Sequence, residues 1–144
     1  MANAIDETVA RELTLLQLEL KKRQWLAAQR WSQRMKTCLS SLGIGFTEWL
    51  VLDATWSLVD QTRDAVSQNE VGRVLELDTL AIWHVMAVLE HQGLVSRGCS
   101  MSGKAWRVFV TRKGGDLLRA LAPSVSAVAD ERSGELDHRR HAGE

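Results

Sequence analysis

SQNEVGRVLELDTLAIWHVMAVLEHQGLVSRGCSMSGKAWRVFVT, residues Ser67 to Thr111, is the stretch whose reading decides the fold. Ser67 precedes a short apolar-periodic segment, Val71, Val74 and Leu75, with Glu70 three residues on, the spacing of a capping box. Asp78 stands where a second helix begins, and Leu80, Ile82, Val85, Met86, Val88 and Leu89 follow at helical intervals until Gly93. Leu94 to Arg97 and Trp106 to Val110 read as two short strands, with the Gly- and Ser-containing segment 98–104 as the tip between them. Helix, turn, helix and hairpin, in that order, predict a winged helix-turn-helix.

The flanks extend this core. No Pro or Gly occurs between Asp6 and Leu42, where Val9, Leu13, Leu16, Leu20, Ala27, Trp31, Met35, Cys38 and Leu42 recur in steps of mostly three and four. A helix of ~35 residues spans ~50 Å at 1.5 Å per residue. That is more than one small domain can cover, so its apolar stripe is expected to find a second copy of the chain. Leu42-Gly43-Ile44-Gly45 ends it, and Thr47 is the expected cap of a helix through Trp49, Leu50, Leu52, Trp56 and Val59 to about Gln61. Residues 61–66 read as a connection. Thr111 opens a last helix through Leu117, Leu118 and Leu121. The expected organisation is one mainly α (α+β) domain over 1–144. Within it lie a long dimerisation helix at 6–42, the winged core at 46–110, a C-terminal dimerisation helix at 111–132 and a frayed tail at 133–144.

Bulk properties exclude several classes. Hydrophobic residues make up 45% and charged residues 25% of the 144, ordinary values for a globular domain. No apolar run approaches the ~20 residues of a membrane span, and the acidic start MANAIDETVARE has no signal-peptide core, so a cytoplasmic protein without membrane partners is expected. The formal net charge of +0 argues against indiscriminate coating of nucleic acid. The distribution is uneven: Lys21, Lys22, Arg23, Arg30, Arg34 and Lys36 lie together without an acid, and Arg97, Lys104, Arg107, Arg112, Lys113 and Arg119 lie in and after the hairpin with Asp116 alone against them. Residues 37–95 between them are acidic.

Three segments resemble the MarR family of transcriptional regulators. Leu42-Gly43-Ile44-Gly45-Phe46-Thr47-Glu48-Trp49-Leu50-Val51-Leu52 is similar to the family's LGLTxxQWxVL, Leu89-Glu90-His91-Gln92-Gly93-Leu94-Val95-Ser96-Arg97 to its LExxGLVxR, and Val110-Thr111-Arg112-Lys113-Gly114 to its LTxKG. The resemblance covers about 31–129. It implies a homodimeric winged domain, joined through its terminal helices, that binds pseudo-palindromic operators in double-stranded DNA and is released by a small, often phenolic, ligand or by an oxidant. Three departures stand out. The wing's usual Asp-x-Arg pair is replaced by Ser102 and Lys104. The chain stops before the family's further C-terminal helix, a role the longer first helix is expected to take. The helix that should read bases has no Lys or Arg.

Paired hydrogen bonds to base edges favour Arg, Lys, Asn and Gln. Here the outward positions of that helix are expected to be Thr79, Leu80, Trp83, His84 and Ala87, with Ser67 and Gln68 of the preceding helix as further DNA contacts. Thr79 suits one hydrogen bond or a thymine methyl, Trp83 suits sugar or methyl groups, and His84 a base or a phosphate. The alternative to DNA contact is that Trp83 packs on the wing or on a partner protein, with His84 solvated. Arg97, Lys104 and Arg107 are the expected phosphate contacts of the wing.

Six Trp, with no Tyr and two Phe, is a skewed aromatic content. Trp25, Trp31, Trp49 and Trp56, on the two helices that border the family's effector cleft, with Arg30 or Arg34, would suit an aromatic carboxylate; the plainer reading is core and dimer packing. Cys38 lies on the apolar stripe. Cys99, near Arg97 and Lys104, is a redox candidate, since neighbouring cations favour thiolate. No GxSxG, HExxH, P-loop or GxGxxG occurs, and no spacing suggests a metal site, so no enzyme activity, metal or cofactor is expected. The alternative function is a winged-helix protein-interaction module that has lost DNA binding, or a cysteine-based redox-sensing regulator.

Overall fold

The structure is a computed structural model that describes the backbone of residues 2–99 and 106–141 and the side chains of 3–98 and 106–129. Its elements are α1 (Ala2–Ser40), α2 (Phe46–Thr62), β1 (Val66–Ser67), α3 (Gln68–Val74), α4 (Thr79–His91), β2 (Val95–Cys99), β3 (Trp106–Val110) and α5 (Arg112–His141). The protein is mainly helical, with one small antiparallel sheet in the order β1-β3-β2. None of the described helices is long and apolar enough to cross a membrane.

The chain divides into two compact units, 1–34 and 35–144. The first is the greater part of α1. Its stripe of Ile5, Val9, Leu13, Leu16 and Leu20 lies exposed, each side chain with about half or more of its surface open to solvent. Burial of such a stripe is what normally stabilises an amphipathic helix of this length.

The second unit holds the core. Met35, Leu39, Val51, Leu52, Val71, Ile82, Met86, Leu89, Val108 and Leu121 are fully or almost fully buried. They come from α1, α2, α3, α4, β3 and α5, so the apolar faces read from the sequence converge on one interior. Thr55 is buried among them because its hydroxyl donates to the Val51 carbonyl at 2.7 Å, which satisfies the polar group within its own helix. Cys38 is half-buried with a free thiol.

Helix boundaries follow local chemistry, with four departures from expectation. Gly45, not Thr47, caps α2, and its N–H donates to the Glu48 carboxylate at 3.2 Å. Ser67 does precede α3, but the capping box with Glu70 does not form: the Ser67 side chain makes no cap bond among the described residues, and the residue is held instead in β1, opposite Arg107. β1 itself lies at the end of the expected connection. Two residues are too few to show a period, and only pairing with β3 defines them as a strand. Finally, α5 continues through His141, beyond the expected end at 132 and into the expected tail. Asp78 acts as foreseen, its carboxylate accepting from the Ala81 N–H at 2.7 Å.

The end of α4 and the start of α5 are stapled together. Gly93 has φ +76°, which L side chains rarely adopt, and turns the chain so that the Leu94 N–H returns to the Leu89 carbonyl at 2.9 Å. The Thr111 hydroxyl donates to the Gly93 carbonyl at 2.6 Å and accepts from the Gly114 N–H at 3.1 Å, while Lys113 Nζ donates to the Gln92 carbonyl at 2.8 Å. Thr111 therefore caps α5 and closes α4 with one oxygen. Thr111→Val keeps the shape and deletes both bonds, and is expected to cost about 1.5 kcal/mol. Thermal unfolding should show this as a drop of about 4 °C in Tm.

Candidate nucleic-acid interface

α4 is two-sided. Ile82, Met86 and Leu89 are buried in the core, whereas Thr79, Leu80, Trp83 and His84 face outward and Ala87 is half-buried. Leu80 is 69% exposed and Trp83 45%, high values for large apolar side chains on a helix whose other side is core. Thr79 stands in the first turn beside the Asp78 cap.

The expected wing contacts separate into three cases. Lys104, like Ser102, lies outside the described residues, as does the side chain of Cys99. Arg107 is exposed on β3, and one of its terminal nitrogens donates to the Ala65 carbonyl at 3.0 Å. Its exposure leaves it on a surface that phosphates could reach.

Arg97 differs from the phosphate arm expected of it. Its side chain is only 6% exposed. Nη2 meets the Glu90 carboxylate at 3.1 Å and Nη1 donates to Gln68 Oε1 at 3.1 Å. Its guanidinium carbon sits 5.0 Å from the Trp83 ring centroid and 5.4 Å from that of Trp106, within cation–π range of both. The physical reason is local: β2 runs back beside α4, so a long side chain at position 97 meets Glu90 and Trp83, which are seven residues apart on one helix face. Gln68, expected as a DNA contact, is likewise drawn inward, at 4% exposure, by accepting from Arg97. Ser67 is half-buried in β1. Sequence reading placed Arg97 in the wing but had no means of pairing it with residues 68, 83, 90 and 106.

The expected effector residues fall in both units. Trp25 and Arg30 are exposed, and Trp31 and Arg34 half-buried, in the first. In the second, Trp49 is a core residue against Phe46, ring centroids 6.3 Å apart. Trp56 packs on α5, with the Arg119 guanidinium carbon 5.9 Å from its ring and Gly115 beside it. Packing of this kind is the plainer of the two readings of these Trp residues. Among the described residues no group of three His, Cys, Asp or Glu side chains is placed to hold a metal ion.

No family model matches the sequence, and no curated protein is significantly similar to it. Solved structures do match. Reduced AbfR bound to DNA, AbfR being a Staphylococcus epidermidis protein, is 21% identical over 91% of this chain and 98% of that one, with a TM-score of 0.69. The S. aureus MepR–DNA complex is 14% identical over 85% and 91%, with a TM-score of 0.69. A MarR-family transcriptional regulator from Rhodococcus sp. RHA1 is 17% identical over 88% and 91%, with a TM-score of 0.72. At these identities the likeness concerns the backbone, and it extends over most of the chain. The chain has the winged helix-turn-helix fold of the MarR-family regulators.

Proposed function

We propose that this protein is a sequence-specific DNA-binding transcriptional regulator, acting as a homodimeric repressor that a small aromatic ligand releases. The observation that carries the reading is the outer face of α4. An element that contributes Ile82, Met86 and Leu89 to the core holds Thr79, Leu80, Trp83 and His84 in solvent, next to a hairpin that bears Arg107. That is how a winged domain offers one helix to the major groove and a wing to the flanking backbone. Two of the similar structures, those of AbfR and MepR, are complexes with DNA. The exposed stripe of the first unit supports pairing with a second copy, which would supply the two heads that a pseudo-palindromic operator requires.

Thr79, Leu80, Trp83 and His84 are the proposed readers, and Arg107 and Lys104 the proposed phosphate contacts. Leu80 and Trp83 have no hydrogen bonds to offer base edges beyond the indole N–H. Their natural target in the major groove is the thymine C5-methyl group. Selection of duplexes from a random pool by the purified full chain tests the function and yields the site. Binding to that site should weaken steeply with added salt. Replacing the contacted thymines by deoxyuridine, which removes only the methyl, should lower affinity about four-fold per methyl.

The second reading, a protein-interaction module, is favoured by the same face, because it is apolar and carries no Lys or Arg. It predicts no duplex binding even at low salt. A cysteine-based redox switch is a further proposal for Cys99. AbfR, one of the similar proteins, has been solved in reduced, overoxidised and disulfide-formed states.

A further inference from the structure

The geometry points to Arg97 as a positioning residue that locks the reading helix to the wing, and not as a DNA contact; this rests on the DNA-binding reading above. The side chain reaches three elements besides its own β2: Trp83 and Glu90 on α4, Gln68 at the start of α3, and Trp106 on β3. The two polar partners use different nitrogens of the guanidinium, and both indoles lie near its central carbon. The central carbon lies over two indole rings, 5.0 and 5.4 Å from their centroids, one terminal nitrogen meets a carboxylate at 3.1 Å, and the other meets an amide oxygen at 3.1 Å. A planar, delocalised cation with fixed donor directions makes such a set, whereas an ammonium on a flexible stem makes one or two of these interactions at a time.

The burial has an energetic consequence. Nε is buried without a hydrogen-bond partner among the described residues. An arginine that left this site to reach a phosphate would give up the bonds to Glu90 and Gln68 and the contacts with both indoles. The cation is therefore held where it is, and what it controls is angle. Trp83 is half-exposed on the reading face, and Trp106 is half-exposed at the loop end of the hairpin, opposite Cys99. One guanidinium between them fixes the direction in which α4 and the wing present themselves together. Two probes must be oriented at once for tight binding, so a loose joint between them lowers affinity while every group that touches DNA is still present.

The test compares Arg97→Lys, which keeps the charge, and Arg97→Gln, which removes it, with the unmodified full chain on the selected duplex over a salt series. Affinity is expected to fall about ten-fold, with the slope of log K against log[salt] unchanged. Were Arg97 a phosphate contact, Arg97→Gln would instead reduce the slope by about 0.9. Arg107→Ala, which removes the proposed phosphate-binding group of β3, serves as the reference for that smaller slope. In parallel, the six indole N–H signals of 15N-Trp-labelled protein report the joint directly. Arg97→Lys should displace and broaden those of Trp83 and Trp106, each identified from its own Trp→Phe variant, and leave the other four in place. Glu90→Gln, at a partly exposed position, supplies the same readouts should Arg97→Lys fail to fold, with a smaller loss of about three-fold. A reduced slope, an unchanged affinity or unmoved indole signals would overturn the assignment. If the unmodified chain retrieves no duplex at all, the DNA-binding reading fails, and the indole spectra still show whether the joint exists.

Discussion

Gly114→Ala is expected to destabilise the protein by about 3 kcal/mol, the largest effect of any single added methyl among the described glycines. A Cβ at this position would overlap the Leu94 carbonyl oxygen and stand 2.8 Å from Val110 Cγ1. Neither neighbour can yield. The Leu94 carbonyl accepts the Thr111 N–H at 3.0 Å, and the Leu94 N–H is tied to Leu89, so the backbone there is held from both sides. The first turn of α5 would have to lift away from the α4–β2 junction, breaking the Thr111 and Lys113 bonds to Gly93 and Gln92. Thermal unfolding should show a loss of about 10 °C in Tm. Gly98→Ala is the matched control, because a Cβ there would meet nothing within 4 Å, and its Tm should change by less than about 2 °C. Equal Tm values for the two variants would show that α5 does not pack against Leu94 as described.

Leu80→Glu is expected to lower duplex affinity on the order of 100-fold while leaving stability within about 0.5 kcal/mol. Leu80 is 69% exposed on a helix whose opposite side is core, so a carboxylate there stays hydrated in the free protein. In the proposed complex that carboxylate would enter a groove lined by phosphates and lose its water, with no Lys or Arg on α4 to meet it. The electrophoretic mobility or fluorescence anisotropy of the selected duplex measures the loss, and the Tm of the same sample shows that the fold is intact. Unchanged affinity would remove α4 from the interface and leave the protein-interaction reading of this face. Leu80→Glu and Arg97→Lys act by different routes: the first adds repulsion at the interface, the second loosens the angle at which an intact surface is presented.

Much of the fold was legible because its signals are local. The stripe from Val9 to Leu42, the Asp78 cap, the stop at Gly93 and the two apolar runs around the hairpin each depend on residues within one or two turns. The departures share a different cause. Gly45 displaced Thr47 as the cap of α2 because Glu48 could reach back to its N–H, a competition between neighbours that propensity does not resolve. Ser67 has the extended backbone of a cap and pairs with Arg107 of β3, but its side chain builds no box with Glu70. β1 was invisible since a strand of two residues exists only through its partner.

The candidate site was legible in part, for the same reason. Helical periodicity is enough to say which side of α4 is apolar and inward, and the structure leaves Thr79, Leu80, Trp83 and His84 on the other. Nothing local separates a free arginine in a hairpin from an enclosed one. Arg97 lies 29 residues from Gln68 and seven from Glu90, and Trp106 follows across the hairpin. Charge counting assigned it to the wing's positive surface, whereas the four side chains around it neutralise and cover it.

By itself the sequence determined the succession of helices and strands, the inward faces that make the core, and the lack of Lys and Arg readers on α4. These are properties of spacing and composition along a single segment. Only the tertiary structure decided which polar groups remain available to a partner. It drew Arg97 and Gln68 inward, left Arg107 outside, and pressed Gly114 onto the Leu94 carbonyl. The physical reason is that availability is a matter of what else is near. For a side chain as long as arginine, the nearest partners come from segments far away in the chain.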